Sequence, residues 1–538
     1  MTSTSSITSH DYVVVGAGSA GAVLAARLSE DPSVRVLLLE AGPADTSAAI
    51  RVPLMFGQLF GSDVDWAYEM NRPAGYKGST FFPRGKTLGG SSSTNLMVYI
   101  RGDRSDFDGW AKDGCVGWDY DSVLPYFVKA EHNSRLSDTF HGTSGPMHVE
   151  DRVFTHELSQ TWIEAAADWG MQRTEDFNGA SQLGTGSYQV TCHNGLRWST
   201  ADAYLRPAMD RPNLKVLTGA QATRVLFEGD RAVGVAYRHQ GAEAAARADA
   251  EVLLCSGVIN SPQLLLLSGI GPADQLRAFG IPVIADSAAV GANFNDHTMV
   301  PLVWSTDVPD VGQMVTPETI ALFQSGGGGP LASNGAEVGG FLATDGGHVP
   351  DIQFLGGASS YVNHGREIMP SSSFTMNVAG THPLSRGRVW LRSADPFQHP
   401  YINPGYFNDT TDLEVLKKGM RAALEIAERS PIAESFTSRM LPTAADLDDA
   451  VLTEHARTYS TTEYHAVGTC AMGTGPESVV DPELRVRGVN GLRVVDASVM
   501  PSVISGNTNA AVIMIGERAA DLLRGGLTPT SGSLHASR

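Results

Sequence analysis

Residues 11 to 42, DYVVVGAGSAGAVLAARLSEDPSVRVLLLEAG, contain two apolar runs separated by a glycine-rich turn and a segment of helix formers. Val13 to Val15 form a β-branched run that favours a strand, and Ala20 to Leu28 favour a helix. Asp31 and Pro32 end that helix, and the run VRVLLLE then indicates a second buried strand. The order strand, turn, helix, strand predicts a βαβ unit of the Rossmann type and therefore an α/β fold.

Gly16, Gly18 and Gly21 give the spacing G-x-G-x-x-G between the first strand and the helix. Glycines at these positions allow backbone N–H groups and the helix N-terminus to approach a pyrophosphate. Glu40 ends the second strand 19 residues after Gly21 (40 − 21), where an acid accepts hydrogen bonds from a ribose diol. A glycine-rich turn in another α/β protein is the alternative interpretation. The combined pattern predicts a bound dinucleotide without a 2′-phosphate, which leaves NAD and FAD open.

The composition excludes several classes of function. Hydrophobic residues make up 42% of the 538 residues and charged residues 18%, as in a folded globular protein of more than one domain. Asp and Glu (58) exceed Lys and Arg (39), and the net charge of -19 repels phosphate backbones, so we expect no nucleic-acid partner. The longest apolar runs, such as LLLLSGIG, are far shorter than the roughly 20 residues of a membrane span.

The cysteines and the two termini bear on the compartment. Cys115, Cys192, Cys255 and Cys470 are scattered singly, so the sequence predicts neither a metal site nor a disulfide framework. Residues 1–10 and 528–538 are rich in Ser and Thr, and we expect them to be disordered. The first of these segments has neither the basic stretch nor the apolar core of a signal peptide, so we expect a cytoplasmic protein.

Two further segments, RGKTLGGSSSTNLMVYIRG (84–102) and CSGVINSPQLLLLSGIGP (255–272), place small residues where a ligand must approach the backbone. Ser261 and Pro262 predict the start of a helix in the second segment. Both segments resemble the signatures of the glucose-methanol-choline (GMC) family of flavin-dependent oxidoreductases, and the resemblance runs from VVVGAGSAG to GNTNAAVIMIGERAADLL. It implies that the dinucleotide is FAD.

The resemblance also implies how FAD is held. Thr94 stands where some members of the family carry a histidine bonded to the flavin, which implies a non-covalent cofactor, and Val258 stands where a small residue is usual. The implied cofactor contacts are Gly16, Gly18, Ser19, Ala20, Gly21, Glu40, Ala41, Leu88, Gly90, Ser91, Asn95, Leu96, Met97, Ala222, Ser256, Asp496 and Ala497.

YHAVGTCAMG and SGNTNAAVIMIGERAADLL resemble the carboxy-terminal active-site segments of the family, so the resemblance places His465 and Asn509 at the reactive edge of the flavin. A neutral imidazole can accept a hydroxyl proton, and an amide can position the substrate oxygen. Asn507 or Thr508 is a predicted cap of the following helix. Ala466 replaces a proline that often follows the histidine in the family, which implies a less restrained backbone there.

The function implied by this resemblance is oxidation of a primary alcohol to its aldehyde, with hydride transfer to the flavin and oxygen or another acceptor reoxidising it. Two alternatives stay open, a lyase of the same fold with a redox-silent FAD and a nicotinamide dehydrogenase. The alcohol is also open, because Tyr99, Tyr464 and Trp66 could face an aromatic alcohol, a polyol or a cationic head group, or could belong to the hydrophobic core.

The remaining sequence predicts a second domain. NLKVLTGAQATRVLFEGDRAVGVAYR predicts a β-meander with a turn at Gly229 and Asp230, and residues 301 to 454 predict several strands and an amphipathic helix. The resemblance implies interleaving, with a Rossmann-type FAD-binding domain (1–155, 193–300 and 455–538) and a substrate domain built on an antiparallel sheet with helices (156–192 and 301–454). The glycine-rich segment 325–335 predicts a flexible loop, or alternatively a lid over the site.

Overall fold

The computed structural model describes residues 8–367 and 369–525. Most of the two predicted disordered tails, residues 1–7 and 528–538, therefore lies outside the described residues. The prediction was wrong for residues 8 to 10, which begin the strand Thr8–Val15. Backbone pairing with the neighbouring strand at Ala246 and Ala248 outweighs the low strand preference of Ser and His there, because ladder bonds do not depend on the side chain.

The first sheet confirms the Rossmann-type prediction. Its strands are Thr8–Val15, Val36–Leu39, Leu214–Leu217, Ala220–Glu228, Arg231–His239, Ala242–Leu254 and Leu492–Val494. Five strands run parallel in the order 214–217, 36–39, 8–15, 242–254 and 492–494. Strand 231–239 pairs antiparallel with the first half of 242–254, and strand 220–228 pairs antiparallel with 231–239; these strands form the predicted meander, which turns at Gly229 and Asp230.

Helix Ser19–Leu28 covers this sheet and buries nearly its whole length. A Cβ on Gly21 would lie 1.9 Å from the carbonyl oxygen of Gly16, so the helix can approach the turn this closely only with glycine at that position. Helix Asn509–Leu523 packs beside it, with Glu517 fully buried and 2.7 Å from the guanidinium of Arg27. This ion pair joins the two helices along their length, and Ser19 Oγ, which donates to Asn509 Oδ1 at 2.6 Å, holds the amino end of the second helix next to the glycine-rich turn.

The second sheet is antiparallel, as predicted. Its strands are Gly184–Ser187, Thr298–Thr306, Val338–Leu342, Ile352–Gly357, Ser373–Gly380, Phe436–Leu441 and Thr461–Thr462. The predicted amphipathic helix is Thr410–Ala427, which packs its buried face on this sheet. Strand 461–462 pairs with Thr298 and Met299, so the segment that leads to His465 is attached to the second sheet. The exact domain boundaries stay a prediction.

The helices and small sheets complete the fold. The helices are Ser19–Leu28, Ala48–Arg51, Arg104–Lys112, Tyr120–Ala130, Glu157–Trp169, Arg206–Ala208, Gly257–Leu267, Ala273–Ala278, Pro317–Gly326, Thr410–Ala427, Asp449–Tyr459 and Asn509–Leu523. Two-stranded sheets pair Tyr68–Glu69 with Phe81–Phe82, Glu131–Asn133 with Met147–Val149, Cys192–His193 with Leu196–Arg197, Ile270–Gly271 with Ala285–Asp286, and Arg388–Trp390 with Tyr401–Asn403. Within residues 8–367 and 369–525, no helix has both the length and the apolar character needed to cross a bilayer.

Two local predictions differ from the structure. The helix expected to start at Ser261 begins at Gly257 and includes Pro262. Proline lacks the N–H that would bond the carbonyl of Val258, and the hydroxyl of Thr469 donates to that carbonyl instead, at 2.6 Å. In segment 325–335, the first two residues end helix Pro317–Gly326 and residues 330–332 form a 3-10 turn, so the segment is only partly a loop.

Candidate active site

A cavity of about 650 Å³ lies between the two sheets. Gly16, Glu40 and Cys255 each follow a parallel strand of the first sheet directly and line one side of it. Met299 and Asn377, from strands of the second sheet, line the other side. The cavity therefore lies at the carboxyl ends of parallel strands, where open α/β sheets bind their ligands.

Most residues predicted to contact the cofactor line this cavity. They are Gly16, Gly18, Ser19, Ala20, Glu40, Ala41, Gly90, Ser91, Asn95, Leu96, Met97, Ala222, Ser256, Asp496 and Ala497. Gly21 and Leu88 do not line it. Gly21 instead packs against the carbonyl of Gly16, and Leu88 is a buried core residue whose carbonyl accepts from Ser93 Oγ at 2.7 Å. Both residues thus pack behind the cavity lining, and their contact with the cofactor stays a prediction.

The glycine-rich end of the cavity fits a dinucleotide. A Cβ on Gly18 would meet nothing closer than Gly90 Cα at 4.0 Å, so the missing side chain leaves the backbone open to the cavity. The two carboxyl oxygens of Glu40 accept from the backbone N–H groups of Ala17 and Gly42, both at 2.8 Å. Burial raises the pKa of Glu40 to about 7, although these N–H groups oppose the increase. Each oxygen keeps a second lone pair for a ribose diol.

The backbone that carries His465 is strained and held in place. Tyr464 has a φ of +69°, in the left-handed region that L-residues rarely adopt. Its N–H donates to Thr462 Oγ1 at 2.7 Å, and its carbonyl accepts from Arg84 Nη1 at 2.6 Å. The N–H of His465 donates to Asp296 Oδ1 at 2.9 Å. These contacts stabilise the turn that points the imidazole into the cavity, a use of strain typical of functional sites.

A chain of hydrogen bonds fixes the tautomer of His465. His297 Nε2 lies 2.9 Å from the carbonyl of Thr381, which can only accept, so this nitrogen carries a proton. Neutral His297 therefore has a lone pair on Nδ1, which lies 3.0 Å from His465 Nδ1. His465 must donate from Nδ1, and its Nε2 keeps the lone pair. The unprotonated nitrogen thus lies on the far side of the ring from His297.

The surroundings of His465 keep the ring neutral. Burial lowers the pKa of His465 to about 4, and the positive charge of Arg84 adds to the decrease while Asp296 opposes it. Burial, together with the neighbouring His465, also lowers the pKa of His297 to about 4. Both imidazoles are therefore uncharged near neutral pH, which is the state that a general base requires.

The structure places Asn507, and not Asn509, beside His465. Asn507 Nδ2 lies 3.1 Å from His465 Nε2, and Asn507 Oδ1 accepts from Gln353 Nε2 at 3.1 Å. Asn509 Oδ1 instead accepts from Ser19 Oγ at 2.6 Å, at the glycine-rich turn. Residues two apart at a helix start point in roughly opposite directions, so only one of the two asparagines can face His465. Asn507 is therefore the asparagine that contacts His465, while Asn509 also lines the cavity and its predicted role at the flavin stays a prediction.

The predicted side-chain cap of helix Asn509–Leu523 is absent from the structure of the described residues, 8–367 and 369–525. Thr508 is the residue before helix Asn509–Leu523, but neither it nor Asn507 caps the helix with its side chain. Sequence reasoning missed Arg84, Asp296, His297 and Glu463. The sequence did indicate two of them: Arg84 begins segment 84–102, which resembles a family signature, and Glu463 lies two residues before His465. Asp296 and His297 form a polar pair directly before a strand.

Aromatic rings line another part of the cavity, and we call Phe56, Phe60, Tyr361 and Tyr464 the aromatic wall. The ring centroids of Phe60 and Tyr464 lie 5.8 Å apart, and those of Phe56 and Tyr361 lie 5.9 Å apart. The hydroxyl groups of Tyr361 and Tyr464 bond each other at 2.6 Å, and His364 Nδ1 lies 2.6 Å from Tyr464 Oη. The polar atoms of the wall are thus paired with each other, which leaves an apolar surface.

Two other aromatic residues named from the sequence, Trp66 and Tyr99, do not belong to the aromatic wall. Trp66 lines the cavity, but the ammonium group of Lys86 lies 4.5 Å from its ring centroid. Tyr99 is buried in the core of the first domain and accepts from Arg101 Nε at 3.3 Å. Tyr464 is therefore the one of the three predicted aromatic residues that borders the cavity beside His465.

The chain is similar to known oxidoreductases along most of its length. Two GMC oxidoreductase family models match residues 10–299 and 383–516. Alcohol dehydrogenase [acceptor] of Pseudomonas putida is 41% identical over 96% of this chain and 95% of its own. Mitochondrial choline dehydrogenase of Homo sapiens is also 41% identical, over 96% of this chain and 90% of its own.

Solved structures of two oxidases are similar to this chain along most of its length. Pyridoxine 4-oxidase from Mesorbium loti superposes with a TM-score of 0.87 at 32% identity, covering 95% of this chain and 98% of its own. A formate oxidase variant from Aspergillus oryzae, studied for FAD modification, superposes with a TM-score of 0.89 at 28% identity, covering 96% and 98%. From the matched domains, the shared length and the cavity geometry, we conclude that the chain belongs to the GMC oxidoreductase family.

Proposed function

We propose that this protein oxidises a neutral, apolar primary alcohol to its aldehyde, with non-covalently bound FAD and with His465 as general base. The observation that carries the proposal is the position of His465 Nε2, which is unprotonated, borders the cavity and lies 3.1 Å from the amide of Asn507. Base and positioning amide thus stand together beside a cavity that fits a dinucleotide.

The proton moves to a defined atom. A substrate hydroxyl takes the place of the Asn507 amide at the lone pair of His465 Nε2 and donates to it, while the substrate oxygen accepts from Asn507 Nδ2. Gln353 holds the other end of the Asn507 amide, which keeps its NH₂ group directed at His465. A positioned general base is worth on the order of 10² to 10⁴ in rate. His465 is buried, which limits the access of water that would compete for the proton.

FAD, when bound, supplies a two-electron acceptor for the hydrogen on the alcohol carbon. Gly18, Glu40 and Ser19 are among the residues that would hold it. Thr94 lines the cavity and has no nucleophilic ring nitrogen, which supports a non-covalent cofactor. Acid or heat denaturation of the purified protein should release free FAD, whereas flavin that stays with the polypeptide would contradict this part of the proposal.

The aromatic wall supports an apolar substrate. The carboxylate of Asp310, which also lines the cavity, already accepts from the N–H groups of Gly312 and Gln313 at 3.0 and 3.1 Å. Trp66 is paired with Lys86 and so does not offer its ring to a substrate cation. An aromatic or long-chain aliphatic alcohol therefore suits these surroundings better than a quaternary ammonium alcohol.

The visible spectrum of the flavin tests the reaction. The purified protein is mixed anaerobically with benzyl alcohol, 1-octanol, glycerol or choline, and the flavin absorption is followed. We expect the first two alcohols to bleach it, and admitting air then shows whether oxygen is the acceptor. A flavin that no alcohol bleaches would contradict alcohol oxidation and favour the lyase, while bleaching by choline alone would contradict the substrate class.

Replacement of the base tests the mechanism. We expect His465→Ala to keep bound FAD and to lose on the order of 10² to 10⁴ in the rate of flavin reduction. His348→Ala is the control, because His348 is exposed and lies outside the cavity. An unchanged reduction rate in His465→Ala would exclude it as the base.

A further inference from the structure

Glu463 is a buried acid with no hydrogen-bond donor. Its side chain is 3% exposed, and neither carboxyl oxygen has a hydrogen-bond partner among residues 8–367 and 369–525. By comparison, the buried acid Glu337 accepts from His156 N, Ser159 Oγ and Ser333 Oγ. An unpaired buried acid lowers stability, so the position of Glu463 in the cavity lining calls for a functional explanation.

The carboxyl group of Glu463 lies behind the two histidines. Its Oε2 is 3.6 Å from Nδ1 of His465 and 3.6 Å from Nδ1 of His297. These distances are too long for hydrogen bonds but short enough for a strong charge interaction in a buried site. Because Glu463 faces Nδ1 of His465, it leaves Nε2 free for the substrate.

We propose that Glu463 is a positioning residue whose carboxylate stabilises the imidazolium formed on His465, an inference that rests on the proposed alcohol oxidation. The hydroxyl O–H bond breaks and its proton binds the lone pair of His465 Nε2, which leaves an alkoxide and an imidazolium. The total charge of alcohol, imidazole and carboxylate stays at −1 throughout. Burial opposes the new positive charge on His465, Asp296 favours it and Arg84 opposes it, so the carboxylate of Glu463 adds to the stabilisation that Asp296 provides.

The ionisation of Glu463 gives this proposal a pH signature. Burial raises the pKa of Glu463 to about 7, and His297 opposes the increase. The carboxylate is therefore present above about pH 7 and absent below it, while His465, with a pKa of about 4, stays neutral across that range. The other titratable or charged groups around the cluster are Asp296, Arg84, His382, Tyr188 and Tyr464. The flavin reduction rate should rise as the pH rises through about 7.

Glu463→Gln keeps the shape of the side chain and removes its charge. We expect wild type and variant to reduce the flavin with benzyl alcohol at similar rates at pH 5.5. At pH 8.5 the variant should be on the order of 10-fold slower, because it lacks the rise near pH 7. Equal rates at both pH values, or the same deficit at both, would overturn the proposal, since a merely structural role predicts no divergence with pH.

A stability measurement separates this inference from the proposed function. Because burial raises the pKa of Glu463 in the folded protein, the folded state loses stability relative to the unfolded state as the pH rises from the unfolded-state pKa towards 7. Glu463→Gln should therefore have a higher melting temperature than wild type at pH 8 but not at pH 5. That result does not depend on the substrate. Glu337→Gln is the matched control, a buried acid outside the cavity lining that should alter stability without a pH-dependent rate change. If no alcohol reduces the flavin but the melting temperatures differ with pH as expected, alcohol oxidation fails and the ionisation of Glu463 stands. If the melting temperatures do not differ with pH, the inference about Glu463 fails.

Discussion

The Nδ1 atoms of His297 and His465 lie 3.0 Å apart and share one proton. The carbonyl of Thr381 decides which ring carries it, because that carbonyl accepts from the opposite nitrogen of His297. The tautomer of His465, the proposed base, is thus set by a backbone group that does not line the cavity. This arrangement matches the general pattern in which a base is oriented by a third group behind it.

Removing His297 should slow the reaction without removing the cofactor. In His297→Ala, His465 loses the acceptor for its Nδ1 proton and populates the tautomer with the proton on Nε2. We expect the rate of flavin reduction to fall roughly 10- to 100-fold, less than the loss of the base itself. Stopped-flow reduction under anaerobic conditions measures this rate, and the flavin content of the purified variant shows that FAD is retained.

His455→Ala is the matched control for His297→Ala. His455 is also buried and donates to a backbone carbonyl, that of Pro301, at 2.9 Å, but it lies outside the cavity. Its loss should lower the melting temperature and leave the reduction rate per bound flavin unchanged. Equal rate losses in the two variants would mean that His297 acts only through stability.

The two asparagines of the GNTN segment should have separable effects. Asn507→Ala removes the amide that faces His465, and we expect about a 10-fold or larger drop in the reduction rate with FAD affinity preserved. Asn509→Ala removes the bond to Ser19 and should weaken FAD binding while the reduction rate per bound flavin changes little. Flavin titration and stopped-flow reduction of both variants test this assignment, and the reverse pattern would restore Asn509 as the positioning residue.

The parts of the site that were predicted are local in sequence. The glycine-rich turn and Glu40 fall within one βαβ unit, and the geometry of strand, turn, helix and strand fixes their spacing. His297 and His465 are 168 residues apart, so their contact depends on the pairing of strands 298–306 and 461–462, which periodicity does not specify. The choice between Asn507 and Asn509 depends on where helix Asn509–Leu523 begins, and helix boundaries are the least certain feature of a sequence reading.

Gly18→Ala should block the cofactor while sparing the fold. The new methyl group meets no protein atom closer than 4.0 Å and points into the space that a dinucleotide needs. We expect at least a roughly 10-fold loss of FAD affinity, measured by flavin titration of the apoprotein, with an unchanged circular dichroism spectrum. Gly109→Ala is the control, because its Cβ also meets nothing within 4 Å but lies inside helix Arg104–Lys112, where alanine should stabilise by up to about 1 kcal/mol. Wild-type FAD affinity in Gly18→Ala would show that the cofactor does not approach this turn.

Phe60→Ala should change which alcohols are oxidised. The ring of Phe60 belongs to the aromatic wall, and its centroid lies 5.8 Å from that of Tyr464, the residue before His465. Loss of an apolar contact of this size is worth about 1–3 kcal/mol, so kcat/KM for benzyl alcohol or 1-octanol should fall about 10-fold or more, while the value for ethanol should change by no more than about 2-fold. Leu322→Ala is the control, since Leu322 is 52% exposed and does not line the cavity. An equal loss for all three alcohols would place Phe60 in the general support of the site and not in substrate selection.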